Sequence, residues 1–262
     1  MKTWKGGKAM KIGLCCGAEE AAQARAAGCE YVELNFTKVA RQSEEEYAQT
    51  ARALDQAGLR AEAMNCIIPA DFQLYSLGDY SALERYLRQG MARAGALGTQ
   101  VVVFGSSGAR RLPPGVEKKD GWEKLIPVYR LVGGIAAQHG VTIAVEPLNY
   151  GEDNAINTLR EGLEFMRLVG SPGVRLLADM YHMGLNGEDY GDILPAGEDL
   201  RHCHIARPEG RLFPLPGDGY DYAPFFAALR EIGYAGRLSI EAGNPGGPEC
   251  LPACVEYLRA LS

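Results

Sequence analysis

Short apolar runs rich in β-branched residues recur along the chain, each followed by a longer stretch with apolar positions at helical spacing. The runs begin near Lys11 (KIGLC), Tyr31 (YVELNF), Leu59 (LRAEAMN), Val101 (VVVF), Thr142 (TIAVE), Val174 (VRLLAD), Arg201 (RHCHIA) and Arg237 (RLSIE). Runs this short, bounded by turn-forming residues, predict strands. The intervening pattern predicts helices over 19–27, 43–57, 81–97, 121–139, 158–169 and 222–232, with a last one through 252–261. Val169-Gly170 and Ile232-Gly233 read as helix stops. The glycine-rich segment 183–193 predicts a short helix or a loop.

Strands alternating with helices are the pattern of parallel βαβ units. Eight such units in 262 residues, without a linker-like stretch, predict an α/β chain closed into one (β/α)8 TIM barrel over residues 11–262. An open doubly wound sheet is the competing architecture. It calls for a glycine-rich turn after the first strand, and LCCGA at 14–18 lacks G-x-G-x-x-G. Residues 1–10, with their lysine–glycine steps, predict a flexible leader.

Composition narrows the classes. Apolar residues make up 47% of the chain, enough for a sizeable core. A net charge of −6 gives no basic footprint for nucleic acid. No apolar run reaches the roughly 20 residues of a membrane span, and no apolar h-region follows the early lysines. The seven cysteines are odd in number and include no C-x-x-C pair, which argues against a disulfide scaffold or a cysteine zinc site. Cys250 and Cys254, four apart on a predicted helix, read as packing residues. Reduced thiols in a cytoplasmic protein are expected.

The candidate chemistry lies at strand ends, where a barrel builds its active site. The fifth strand runs into Glu146, the sixth into Asp179 and the eighth into Glu241, while the seventh ends in Cys203-His204-Ile205. Three carboxylates converging on one barrel mouth repel, and a divalent cation removes that repulsion. Two Glu, one Asp and one neutral imidazole make an oxygen-rich set with one nitrogen. It suits Mn²⁺, Mg²⁺ or Co²⁺ better than the cysteine- and histidine-rich structural zinc type. Any one acidic residue after a strand also reads as a helix N-cap. Four adjacent strand ends, one of them a histidine, are poorly explained by capping alone.

Several single residues carry two readings. Glu33 and Asn65 end the second and third strands; Glu33 either hydrogen-bonds a substrate hydroxyl or orients a ligand. His182 either caps a turn or touches substrate. His202 shares a strand face with His204 and lies deeper, which suits a buried supporting role. His139, at a helix end, reads as structural. Arg110 and Arg111 in GSSGARR at 105–111 read as a solvated loop or as partners of an anionic group such as phosphate. Pro216-Gly-Asp-Gly219 reads as a turn.

VEPLN at 145–149, LADMYH at 177–182, HIARPEGR at 204–211, LPGDGYDY at 215–222 and SIEA at 239–242 resemble the xylose isomerase-like TIM barrel superfamily. The nearest group within it is the sugar phosphate isomerases and epimerases, including tagatose/psicose 3-epimerases, hydroxypyruvate isomerases and inosose dehydratases. The resemblance implies that Glu146, Asp179, His204 and Glu241 bind the metal and that Glu146 and Glu241 also form the acid/base pair. It implies substrate contacts for His182 and Glu152. The family's arginine six residues after the third ligand falls here on Gly210, which leaves Arg211 or Arg207 to take its place. Mn²⁺ is the first metal it implies, with Mg²⁺, Co²⁺ or Zn²⁺ as the others, and a homodimer or homotetramer is the expected assembly.

The chemistry follows on general grounds. Sugar isomerisation and epimerisation remove a proton α to a carbonyl, and a Lewis-acid metal stabilises the developing enediolate. Carboxylates facing opposite sides of the carbon invert it, one taking a proton and the other returning one. One carboxylate serving two carbons from a single face interconverts ketose and aldose. The sequence thus predicts a divalent-metal-dependent isomerase or epimerase of a ketose or related polyol, with no nucleic-acid or membrane partner. An inosose-type dehydratase and a catalytically inactive sugar-binding barrel are the alternatives. Four histidines are too few for a trinuclear apurinic-site endonuclease.

Overall fold

Strands covered on both faces are apolar throughout, and Val101–Phe104, buried at every position, is such a strand. It is the fourth of eight: β1 (Lys11–Cys15), β2 (Tyr31–Asn35), β3 (Ala63–Asn65), β4 (Val101–Phe104), β5 (Thr142–Val145), β6 (Val174–Asp179), β7 (Leu200–Ile205) and β8 (Arg237–Ile240). They pair in parallel in chain order, and β8 closes on β1 to complete the barrel. The structure is a computed structural model and describes residues 10–244 and 249–262. The expected leader therefore lies outside the described residues, apart from Met10, which is buried.

The helices among the described residues are α1 (Ala21–Ala26), α2 (Phe36–Arg41), α3 (Glu44–Ala57), α4 (Ser81–Ala96), α5 (Ser107–Arg110), α6 (Lys118–Ala137), α7 (Leu159–Val169), α8 (Met180–Asn186), α9 (Ala223–Glu231) and α10 (Cys250–Leu261). Ser43 with Glu46, and Thr158 with Glu161, form capping boxes that start α3 and α7. Gly170 ends α7 at φ 62°, a left-handed conformation that glycine adopts without steric cost.

The elements differ from expectation in several places, including α5 within the segment read as a loop. The third strand starts at Ala63 rather than near Leu59. The pattern missed α2, a single short helix whose start Asn35 caps by accepting the Lys38 N–H. Within 183–193, α8 begins earlier, at Met180, and 3₁₀ turns follow over Tyr190–Asp199.

Strand side chains alternate between the barrel interior and the helix layer. Tyr31, Ala63, Val101, Val103, Ala144 and Leu177 form an interior cluster of their own. Two residues on from Tyr31, Ala144 and Leu177 stand Glu33, Glu146 and Asp179; two on from His202 and Ser239 stand His204 and Glu241. The polar residues therefore form the layer above the apolar plug, at the C-terminal ends of the strands. Tyr31 spans the interior because Gly13 opposite has no Cβ to overlap its ring. The lower end is closed by Arg237, which donates to Glu62 (2.7 Å) and Gln100 (2.6 Å), while Lys11 donates to Glu62 at 2.6 Å.

Candidate metal centre

His204 is fully buried and has a carboxylate at both ring nitrogens. Its Nδ1 lies 3.0 Å from Glu146 Oε1, 3.1 Å from Glu241 Oε2 and 4.0 Å from Asp179 Oδ2. Its Nε2 lies 2.9 Å from Glu33 Oε1. One ligand atom from each of Glu146, Asp179, His204 and Glu241 falls within 4.8 Å of the other three. An Nδ1–H serves one carboxylate at a time, so three acidic side chains on one nitrogen leave negative charge uncompensated.

Asp179 shows how capping and ligation coexist. Its Oδ1 accepts the Tyr181 N–H at 2.8 Å and caps α8. Its Oδ2 is buried and has no hydrogen-bond partner. A buried carboxylate oxygen left open beside an imidazole and two further carboxylates fits a divalent cation. The donor set of three carboxylates and one imidazole fits a cation that prefers oxygen with some nitrogen.

Glu33 braces the His204 ring through Oε1 and also borders the cavity on the β1–β3 side of the mouth. It is 1% exposed, and all its contacts come from buried donors. Oε1 takes His204 Nε2, and Oε2 takes His202 Nε2 at 2.7 Å and the Ser239 hydroxyl at 2.6 Å. With Ser239 donating to Glu33, the Tyr31 hydroxyl donates to Ser239 at 2.8 Å. Burial raises the Glu33 carboxyl, but His204 and His202 outweigh it and hold it well below the usual range. Burial lowers the His202 pKa and keeps that ring neutral. A carboxylate on Nε2 that leaves Nδ1 for the cation is the arrangement that fixes a metal-ligating histidine's tautomer.

Burial lowers the His204 pKa, but Glu33 and Glu241 outweigh it and raise it well above the ordinary value. The carboxylates around the ring therefore favour its protonated form when no cation is bound. A divalent cation held by this ring would compete with that proton. Calorimetric titration at pH 7 in buffers of different ionisation enthalpy is expected to show about one proton released per metal bound. Affinity is expected to rise with pH while His204 is protonated in the free protein. An uptake heat independent of buffer would remove His204 from the ligand set.

The two glutamates differ. Burial raises Glu146, and although His204 opposes this, it stays above its ordinary value. Glu241 is also raised by burial, but His204 and Arg211 outweigh it and bring it down to about 2. Asn65 Nδ2 donates to Glu241 Oε1 at 3.0 Å and Arg211 Nη2 to Oε2 at 2.7 Å. Arg211, not Arg207, is the arginine brought to the cluster; Arg207 faces Glu209 at 3.5 Å. Arg211 sits at φ 51° after Gly210 at φ 82°, in a tight turn closed by the Arg207–Leu212 bridge, and its guanidinium lies 4.5 Å from the Tyr181 ring centroid.

His182 is buried beside Asp179, with Nε2 3.4 Å from Oδ2. The Asn149 backbone N–H donates to its Nδ1 at 3.1 Å, so the ring proton is on Nε2, facing the cluster. Glu152 accepts from Asn149 Nδ2 at 2.8 Å and lies 3.9 Å from Arg211. Asn149 thus links His182 to Glu152, a role that sequence reasoning missed.

Arg110 corrects an expectation, whereas Arg111 is exposed as expected. Arg110 is completely buried in an ion pair with Asp153, so it is neither a solvated loop residue nor available to phosphate. Arg111 donates to the Glu152 carbonyl at 2.7 Å. The turn at 216–219 is a turn, with Asp218 accepting the Leu215 and Tyr220 N–H groups. All seven cysteines are free. No helix among the described residues is long and apolar enough to cross a membrane.

Residues 21–261 match the family described as xylose isomerase-like TIM barrel. The chain belongs to this family. Within it, the chain is 32% identical over 128 residues to D-psicose 3-epimerase of Ruminiclostridium cellulolyticum, a match covering 48% of this chain and 43% of that protein. It is 29% identical over 170 residues to 3-dehydro-D-guloside 4-epimerase of Escherichia coli K12, covering 63% of each. The match to the psicose epimerase thus spans under half of that relative's length. The fold superposes on a solved D-allulose 3-epimerase from Methylomonas sp. with a TM-score of 0.83 at 23% identity, over 98% of this chain and 99% of that one. As a xylose isomerase-like barrel, the chain carries its polar cluster on the ends of β5 to β8.

Proposed function

We propose that the chain is a divalent-metal-dependent sugar epimerase that moves a proton at the carbon beside a carbonyl of a ketose or related polyol. The observation that carries this reading is the pair Glu146 and Glu241, which reach the same His204 nitrogen from β5 and β8 with β6 and β7 between them. Two carboxylates meeting one small volume from different directions suit inversion better than a one-face transfer. The matched psicose and guloside epimerases point to the same reaction class.

Glu146, Asp179, His204 and Glu241 would hold the metal, with Mn²⁺ preferred for its tolerance of mixed carboxylate and imidazole ligands. A bound divalent cation supplies the positive charge that makes a proton beside a carbonyl removable. Glu241, ionised by its neighbours, takes the proton. Glu146, reaching the same volume from β5, would return one from the far side. Arg211 steadies Glu241 and presents its remaining donors to a substrate oxygen. His182 offers its Nε2–H to a substrate hydroxyl, and Glu152 lies at the rim beside Arg211. A cytoplasmic homodimer or homotetramer belongs to the same proposal.

A keto-glycoside substrate is a second reading, favoured by one feature. A cavity of about 350 Å³ lies on the β1–β3 side of the mouth, lined by Cys16, Asn35, Lys38, Gln42 and Thr50, and it meets the centre at Glu33 and Asn65. That volume is within the range of about 300–1,000 Å³ of small-molecule sites. It has room for a group attached beyond the reacting ring.

The test is solvent deuterium incorporation from D₂O with Mn²⁺ present, across free ketoses and keto-glycosides. Incorporation with inversion at the exchanging carbon is expected. Ketose–aldose conversion selects isomerase, and loss of water selects dehydratase. Exchange absent from every substrate, with no metal bound, rejects the reading in favour of a non-catalytic barrel.

A further inference from the structure

We propose that Arg110 is a positioning residue for Glu146, fixing the backbone on both sides of that carboxylate; this rests on the acid/base role given to Glu146 above. Nη2 of Arg110 donates to the Glu146 carbonyl at 2.8 Å. Nη1 donates at 3.0 Å to the Phe104 carbonyl, which is itself the acceptor of the Glu146 N–H at 3.3 Å. One guanidinium therefore holds both the carbonyl of Glu146 and the partner of its amide. Nε donates to Asp153 Oδ2 at 2.8 Å, and Arg110 and Asp153 are both fully buried.

The surroundings make this arrangement rigid. Tyr129, whose ring stacks on Phe104 at 3.9 Å, places its hydroxyl 3.2 Å from Nη1. Pro147 follows Glu146, has no N–H and restricts Glu146 to extended backbone. On the other side, a Cβ at Gly105 would overlap the Glu146 carboxylate. The space for that carboxylate is thus bounded by Gly105 on one side and by backbone tied to Arg110 on the other. No other cation among the described residues donates to either of these two carbonyls. A lysine could keep the charge pair with Asp153, but a point-like ammonium cannot fork to two carbonyls and a carboxylate at once.

The experiment compares wild type with Arg110→Lys and with the double variant Arg110→Met/Asp153→Leu, which removes both buried charges together and leaves neither uncompensated. Site-resolved amide hydrogen exchange, metal titration and kinetics are measured on each. In both variants the Glu146 amide is expected to exchange at least about tenfold faster, with the Glu241 amide unchanged. Turnover is expected to fall about ten- to a hundredfold with KM held within about threefold, and Mn²⁺ affinity to fall about tenfold. Wild-type protection at Glu146 together with wild-type turnover in either folded variant overturns the proposal. If wild type itself neither binds Mn²⁺ nor exchanges a substrate proton, the functional reading fails, and the Glu146 amide still decides the positioning claim.

Discussion

Replacing Glu146 with glutamine is expected to lower substrate proton exchange about a thousandfold while the barrel stays folded. The magnitude lies within the range for losing a positioned general acid or base. Glutamine keeps an oxygen that can face the cation but has no proton of suitable acidity to give. The amide also ends the repulsion with Glu241, which is part of what raises Glu146. Metal affinity measured on the same variant separates the two duties of this residue. A loss of about tenfold in affinity beside a thousandfold loss in exchange identifies proton transfer as the larger duty. Equal losses in both would make Glu146 a ligand only, and the proton would then need another carrier. Glu241→Gln is expected to behave alike in exchange. With substrates resolved at the exchanging carbon, each variant is expected to suppress exchange from one direction more than the other, because the two carboxylates approach from different strands.

Glu33→Gln is expected to weaken metal binding about ten- to a hundredfold although Glu33 is outside the cluster that would touch the metal. The cause is donor counting. Glu33 accepts from His204, His202 and Ser239, three donors on two oxygens. A glutamine has one acceptor oxygen, and its NH₂ would face a donor in whichever orientation it took. A buried donor left without a partner costs about 2 kcal/mol, so the denaturation midpoint is expected to fall as well. The decisive readout is the ratio of effects. A stability loss with wild-type metal affinity would make Glu33 a packing residue and would free His204 from its supposed orientation. Glu33→Asp gives a graded control, keeping the charge with a shorter reach.

Much of the barrel was legible because its signals are local. A β-branched run followed at once by Glu, Asp or His can be read within six residues, and four such runs in succession point to one rim. The period of two then explains why Glu146, Asp179, His204 and Glu241 converge, since each stands one step above an inward-facing strand residue. What stayed hidden depends on partners far along the chain. Arg110 and Asp153 are 43 residues apart, and no local pattern distinguishes a buried arginine from one on a loop. Glu33 shares the inward-facing register of the cluster residues, and its contacts with His202, His204 and Ser239 come from strands far along the chain, so no local pattern announces them. The helix α2 escaped because Phe36, Val39 and Ala40 give it a single apolar turn, too short for periodicity to register. Asp179 shows a limit of a different kind. Capping and ligation were weighed as rivals, but a carboxylate has two oxygens and here they are divided between the tasks.

The rim is split between a half that holds the carboxylate–imidazole cluster, β5 to β8, and a half that borders the open cavity, β1 to β3. On the proposed epimerase reading, chemistry and substrate choice would lie on separate sides of the rim. Random libraries confined to the segments after β1 and β2 would alter which sugar enters without touching a proton-carrying residue, provided that Glu33 and Asn65, which reach across the divide, are left alone. An engineer testing a new substrate on that reading would begin with the residues lining this cavity other than Glu33 and Asn65.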